Sequence, residues 1–87
     1  MLSLLLSLVL AGEPRFSIDM QNADIHSVLR FIADFAHLNL VVDDSVSGTV
    51  TVRLKDVTWQ EALEAVLATK GLAAVTSGQM LVIQPRL

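Results

Sequence analysis

Hydrophobic and polar residues alternate in two stretches of the chain and recur at helical spacing in two others. The alternation over residues 15–23 and 49–55 predicts two half-buried strands, because successive side chains of a strand point to opposite faces. Apolar residues at helical spacing over residues 25–37 predict an amphipathic helix, for which Asp24 is a suitable N-cap. Phe31 is expected to pack into the core at the edge of the apolar stripe. The stripe itself consists of Ile25, Val28, Leu29, Ile32, Phe35 and Ala36.

The second predicted helix carries signals for both of its ends. Thr58 and Glu61 have the spacing of a capping box, in which each side chain bonds a backbone N–H group of the other residue. Gly71 fits a left-handed C-cap. Trp59, at the first helical position, is expected to anchor the helix to the core. The expected buried face consists of Trp59, Ala62, Leu63, Val66 and Leu67.

Shorter strands over residues 38–42, 73–76 and 80–84 complete the pattern, and the last two are joined by a turn that contains Gly78. The resulting order is βαββαββ, which predicts an α+β domain over residues 15–85. A chain of 87 residues has room for one small domain of this kind.

Residues 1–11 differ from the rest of the chain, since nine of these eleven residues are apolar. A run of this length suits the hydrophobic region of a secretory signal peptide and is shorter than the roughly 20 residues of a membrane-spanning helix. Ala11 offers a small residue at which cleavage could occur. We therefore expect residues 1–11 to be a signal peptide. An uncleaved anchor and a leading segment that packs on the domain are the alternatives.

Composition removes several classes of function. The formal net charge of −3 argues against a nucleic-acid partner, because phosphate backbones are bound by clustered lysine and arginine. The sequence contains no cysteine, which excludes disulfides, thiolate catalysis and cysteine-ligated metals. A cysteine-free chain is compatible with either an oxidising or a reducing compartment, so cysteine usage does not decide location.

The polar residues suggest no reaction centre. His26 and His37 are about 16 Å apart along the helix, too far to share one metal ion, and both are expected to be solvated. Asp43 and Asp44 suit a turn better than a calcium loop, and Glu61 is explained by the capping box. We therefore predict no catalytic residue, no cofactor, no metal site and no small-molecule substrate.

Several segments together resemble the STN domain, the short domain at the N-terminus of secretins and of some TonB-dependent receptors. The matching segments are residues 16–20, 24–29, 48–57, 58–67, 70–72 and 81–83. Residues 38–42, 46–48 and 57–59 are most similar to type IV pilus secretins. The resemblance implies two helices set between two small β-sheets. It also implies a periplasmic, non-catalytic module that binds protein partners.

The resemblance leaves two kinds of partner open. In secretin systems, which serve type IV pili or type II secretion, the implied partners are inner-membrane or periplasmic assembly components of an outer-membrane complex. The alternative is a stand-alone signalling module that contacts an anti-sigma regulator, as in TonB-dependent transducers. Membrane association is expected only through partners or an uncleaved leader.

Protein binding is expected at exposed strand edges, because small sheets leave backbone donors and acceptors to which a partner strand can add. Arg53 and Lys55 would set the register with an acidic partner and contribute more to association rate than to affinity. The alternative is that these are ordinary solvated strand residues. The candidate partner-binding residues are Phe16, Ile18, Met20, Thr49, Thr51, Arg53 and Lys55.

Overall fold

The computed structural model describes residues 14–86, which fold in the predicted order βαββαββ. The elements are β1 (Phe16–Asp24), α1 (Ile25–Ala36), β2 (Asn39–Val42), β3 (Thr49–Val57), α2 (Trp59–Lys70), β4 (Leu72–Ser77) and β5 (Met80–Pro85). The α+β fold class is therefore confirmed. The expected signal peptide at residues 1–11 lies outside the described residues.

The strands form two separate sheets. β1 and β3 pair as an antiparallel two-stranded sheet, here called the ribbon. The other sheet, here called the mixed sheet, has the order β2-β5-β4, with β5 parallel to β2 and antiparallel to β4. Each helix contacts strands of both sheets, so the helices lie between the sheets, as the resemblance implied.

The core lies between the helices and the inner faces of both sheets. Side chains with 0% exposure come from both helices and from β5: Ile25, Val28, Leu29, Ile32, Ala62, Val66, Leu81 and Ile83. The predicted stripes of α1 and α2 are therefore confirmed in their central positions. At the ends of these stripes, Phe35, Ala36 and Trp59 are half-buried. Truncating a buried leucine or isoleucine to alanine in such a core costs about 2–5 kcal/mol.

The predicted signals at the helix ends are confirmed. The Asp24 carboxylate accepts a hydrogen bond from the Ser27 N–H at 3.1 Å and caps α1. Thr58 and Glu61 form both hydrogen bonds of the capping box at the start of α2. Gly71 ends α2 in the left-handed region, at a φ of 63° that glycine adopts without strain.

Two side chains of α1 differ from prediction. Phe31, expected in the core, is 41% exposed, because it lies two positions beyond Leu29 and points away from the buried stripe. His26, expected to be solvated, is half-buried, and its Nε2 lies 2.6 Å from the Val46 carbonyl oxygen. A carbonyl can only accept, so Nε2 carries the proton of this bond. His26 therefore holds the β2–β3 connection against α1. His37 is exposed, as expected, and follows α1 in the left-handed conformation.

Candidate protein-binding surface

The ribbon has one face against the core and one face in solvent. Along β3, Val50 and Val52 are buried, while the residues that alternate with them are exposed. The predicted partner-binding residues of β3 lie on the outer face: Thr49, Thr51, Arg53 and Lys55. This half of the predicted site is therefore a continuous, solvent-facing row on one strand.

The predicted residues of β1 lie on the inner face instead. Phe16 and Met20 are half-buried against the core, and Ile18 is only 4% exposed. A partner could reach Ile18 only through its backbone. The outer face of β1 presents Ser17 and Asp19, which are not among the predicted site residues.

Both signs of charge occur on the outer face of the ribbon. This outer face is defined here as Ser17, Asp19, Gln21, Thr49, Thr51, Arg53 and Lys55. Asp19 and Arg53 are direct cross-strand neighbours, an arrangement in which opposite charges stabilise the pair. Within residues 14–86, the one ion pair joins Arg15 Nη1 to Glu61 Oε1 at 3.8 Å. The charged groups of Arg53 and Lys55 therefore remain accessible to a partner.

Two β-bulges interrupt the ribbon, one in each strand. The pairing register shifts between Phe16 and Ile18 and again between Met20 and Ala23. The bulged residues are Asn22 and Asp56, whose φ values are 50° and 56°. Asparagine and aspartate tolerate this left-handed region better than most residues.

A hydroxyl group from the opposite strand supports each bulge. The Asn22 N–H donates to Thr51 Oγ1, and the Asp56 N–H donates to Ser17 Oγ, both at 3.1 Å. Bulges bend and twist a strand, which makes its edge a poor template for a further strand. The ribbon therefore offers its outer face more readily than its edges. Neither bulge was predicted from the sequence, although residue types enriched at positive φ interrupt the alternation there.

The carboxylates with shifted pKa values serve local structure. The hydrogen bond from the Thr58 N–H lowers the pKa of Glu61, with further lowering by the Thr58 hydroxyl and by Arg15. The N–H and hydroxyl of Ser45 lower the pKa of Asp43, each donating to Oδ1 at 2.9 Å. The predicted roles of these carboxylates in the capping box and in a turn are thus confirmed.

Residues 14–86 contain neither a cluster of metal ligands nor a helix suited to span a membrane. There, no group of three or more histidine, aspartate or glutamate side chains is arranged to hold a metal ion. None of the helices in this part of the chain is both long and apolar enough to cross a membrane.

Comparison with known proteins identifies the family of this domain. The family model described as "GspD-like, N0 domain" matches residues 18–83. The fimbrial assembly protein PilQ of Pseudomonas aeruginosa is 47% identical over 74 residues, which are 85% of this chain and 10% of that protein. The chain therefore spans about a tenth of the length of this relative.

Solved structures of secretins share the fold. The type IV competence pilus secretin PilQ of V. cholerae matches with a TM-score of 0.69 and 43% identity, over 79% of this chain and 17% of that chain. The N0 domain of the type II secretin from enterotoxigenic Escherichia coli matches with a TM-score of 0.74, over 83% of this chain and 96% of that chain. Its identity of 17% shows the common fold alone. The chain belongs to the GspD-like N0 domain family, the N-terminal domains of secretins.

Proposed function

We propose that this chain is a non-catalytic, periplasmic protein-binding module of a secretin-type outer-membrane system for type IV pili or type II secretion. The observation that carries the proposal is the N0-domain match over residues 18–83, supported by 47% identity to PilQ of P. aeruginosa. The proposed partners are inner-membrane or periplasmic assembly components. The same proposal includes the assignment of this N0 domain to the STN type, which its sequence resembles. A role in contacting an anti-sigma regulator is not favoured, because relatives at 47% and 36% identity are PilQ proteins.

Export to the periplasm is proposed to depend on residues 1–11. Their apolar composition and the small residue Ala11 suit a cleaved signal peptide. Mass spectrometry of the protein from its native cell tests this proposal. A periplasmic protein that begins after Ala11 is the expected result, and a full-length protein in the cytosol would contradict it.

The outer face of the ribbon is the proposed binding surface. Arg53 and Lys55 are exposed there, and the strand that carries them is fixed to the core through buried Val50 and Val52. Positive side chains on a rigid strand attract an acidic partner over a distance and so increase its association rate. Half-buried Phe16 and Met20 are proposed to add apolar contact at the border of this face, with Ile18 contributing its backbone only.

A photo-crosslinking amino acid at Thr49 tests this surface in intact cells. The expected product joins the chain to an inner-membrane or periplasmic assembly protein, identified by mass spectrometry. The Arg53→Glu change should lower the yield of this product about tenfold, because it replaces an attractive charge by a repulsive one. The matched control is Arg30→Glu, which makes the same charge change on an exposed position of α1 and should leave the yield unaltered.

Two results would contradict the proposal. One is equal loss of the product in Arg53→Glu and Arg30→Glu, which would indicate a general effect of charge. The other is a product that joins Thr49 to an anti-sigma regulator, which would favour the signalling role.

A further inference from the structure

Two shallow hollows lie side by side on the outer face of the ribbon. The first, of about 260 Å³, is bordered by Asp19, Arg53 and Lys55. It is smaller than the roughly 300–1,000 Å³ of small-molecule sites, so it suits a single side chain. The second, of about 480 Å³, is bordered by Asp19, Gln21, Thr51 and Arg53. Asp19 and Arg53 are direct cross-strand neighbours that border both hollows, so this pair separates them.

The two hollows differ in charge. The first has two positive side chains, Arg53 and Lys55, and one negative side chain, Asp19, so its net charge is positive. The second has one charge of each sign, Arg53 and Asp19, beside an amide and a hydroxyl group, so it is neutral overall. Within residues 14–86, neither Arg53 nor Lys55 forms an ion pair. The first hollow therefore attracts a carboxylate, and the second suits an uncharged polar group.

The strand geometry fixes the spacing of these side chains. Arg53 and Lys55 alternate on one face of β3, which places their Cα atoms roughly 7 Å apart. The Thr51 and Ser17 hydroxyl oxygens accept hydrogen bonds from backbone N–H groups of the two bulges, both at 3.1 Å, so these hydroxyls already serve the fold. The charged side chains therefore remain as the strongest groups that this face offers to a partner.

We propose, resting on the function proposed above, that the partner places one carboxylate side chain between Arg53 and Lys55 and an uncharged polar side chain in the second hollow. Asp19 then determines specificity, because its carboxylate repels a second acidic side chain of the partner. The two partner side chains lie roughly 7 Å apart, which is the spacing of residues i and i+2 in an extended segment. The partner segment is thus extended and carries a single acidic residue at this contact, not an acidic run.

Charge distinguishes this partner from other occupants of the same face. A nucleic acid would bring many phosphate charges towards Asp19 and towards a chain whose net charge is −3. A second copy of this chain could offer only Asp19 as a carboxylate from its own outer face. The Arg53 beside that Asp19 would bring a further positive charge to a hollow that is already positive. A partner carboxylate without a neighbouring cation meets neither obstacle.

Carbodiimide coupling tests the contact with a carboxylate directly. The reagent condenses an amine with a carboxylate and releases water, and Lys55 and Lys70 are the only lysines of the chain. Applied to intact cells, it should join Lys55 to an aspartate or glutamate of the same protein that photo-crosslinks to Thr49. Mass spectrometry should find an uncharged polar residue, and no second acidic residue, two positions away from the coupled one.

Matched lysine changes identify the amine that reacts. Lys55→Arg keeps the positive charge but removes the amine, so the coupled product should disappear. Lys70→Arg makes the same change at an exposed position of α2 and should leave the product unaltered. Persistence of the product in Lys55→Arg, or coupling of Lys55 to a second copy of this chain, would overturn the proposal.

A charge exchange across the ribbon tests the role of Asp19. The double change Asp19→Arg with Arg53→Asp keeps the net charge and the cross-strand pair of opposite charges, but it places a carboxylate beside Lys55. The yield of the photo-crosslinked product at Thr49 should fall about tenfold, because the partner carboxylate then meets a negative charge between the two strands. Circular dichroism checks that the variant folds; if it does not, the carbodiimide result decides the question.

The matched control for this exchange is Arg30→Asp with Asp34→Arg, which exchanges the same charges between two exposed positions of α1 and should leave the yield unaltered. An unaltered yield in the ribbon exchange would overturn the role of Asp19 and leave the attraction of an acidic partner standing, since net charge would then be sufficient. Absence of any product at Thr49 in the wild type would instead contradict the proposed function, and the arrangement of the two hollows as a binding site with it.

Discussion

The two sheets contact the same pair of helices but are built in different ways. The ribbon has a bulge in each strand, left-handed Asn22 and Asp56, and a polar outer face. The mixed sheet keeps a regular register through three strands, and among the described residues none in its strands has a positive φ. Its outer face carries an apolar row of direct cross-strand neighbours, Val41, Val82 and Val75.

This difference shows how one small domain can prevent strand addition at one sheet and leave it open at another. Bulges and charges protect the ribbon, which suits contact through side chains. Strand β4 of the mixed sheet has neither a bulge nor a charged residue. An edge of this kind suits contact through its backbone. Val41 and Val75 are 47% and 49% exposed, so the regular sheet is also the one with exposed apolar surface.

The largest expected effect concerns the central strand of the mixed sheet. Leu81→Ala should lower the free energy of unfolding by about 2–5 kcal/mol, because Leu81 has 0% exposure in β5. Val52→Ala on the inner face of the ribbon removes fewer buried atoms at 8% exposure, and about 1–2 kcal/mol is expected. Urea unfolding measures both values.

Equal losses of unfolding free energy in Leu81→Ala and Val52→Ala would contradict the difference between the two sheets, since the ribbon would then contribute as much to the core as the mixed sheet does. If Leu81→Ala does not fold at all, Leu81→Val provides a milder change at the same position.

A smaller effect is expected at the bulges. Asn22→Ala should cost about 1–2 kcal/mol, because alanine is strained at a φ of 50°. Asn22→Gly should cost clearly less, since glycine adopts this conformation freely. Asn39→Ala makes the same change at an exposed position of the mixed sheet, and it should alter the free energy of unfolding by no more than about 0.5 kcal/mol. Thermal unfolding monitored by circular dichroism compares the three. Similar losses of stability in Asn22→Ala and Asn22→Gly would contradict this explanation, because they would show that the cost does not come from backbone strain at positive φ.

The smallest expected effect is a difference in acid sensitivity. The pKa of Glu61, beside the ribbon, and the pKa of Asp43, after β2, are lowered in the folded state by hydrogen bonds. A carboxylate whose pKa is lower in the folded state than in the unfolded state stabilises the protein at pH values above its unfolded-state pKa. This stabilisation is lost as pH falls through the folded-state pKa. The losses of stability should therefore begin as pH falls below the ordinary pKa values, 4.5 for Glu61 and 3.8 for Asp43. Both groups are exposed, so each loss is expected to be small.

Glu61→Gln and Asp43→Asn separate these two contributions. Urea midpoints are measured between neutral pH and about pH 3. As pH falls, the midpoint should decrease less steeply in each variant than in the wild type. Glu61→Gln should begin to differ from the wild type at a higher pH than Asp43→Asn does. Curves parallel to the wild type would mean that neither hydrogen-bonded carboxylate contributes to acid unfolding.

Features encoded within a few residues were predictable from the sequence. The Thr58–Glu61 capping box and the Asp24 cap are bonds between residues three apart, and both are confirmed. The alternation in β3 correctly assigned its inner and outer faces. Local pattern is sufficient in these cases because the partner lies on the same turn or strand.

Features that join distant segments were not predictable. The His26 bond to Val46 connects residues 20 apart, and the hydroxyl supports of the bulges cross the ribbon over 29 and 39 residues. The edge of β4 became apparent only once β5 was known to pair with β2 on its other side. Such pairings depend on the tertiary register, which a hydrophobic pattern does not specify across long separations.

β5 is the last strand of the described chain and the central strand of the mixed sheet. β2 pairs with β5 and not with β4, so this sheet cannot assemble before Met80–Pro85 is available. Long-range parallel pairing of this kind is also slow to form. During synthesis, the preceding segments β2 and β4 therefore remain without their sheet until the last of these strands has been made. The strand order in this way makes completion of the mixed sheet one of the last steps of folding.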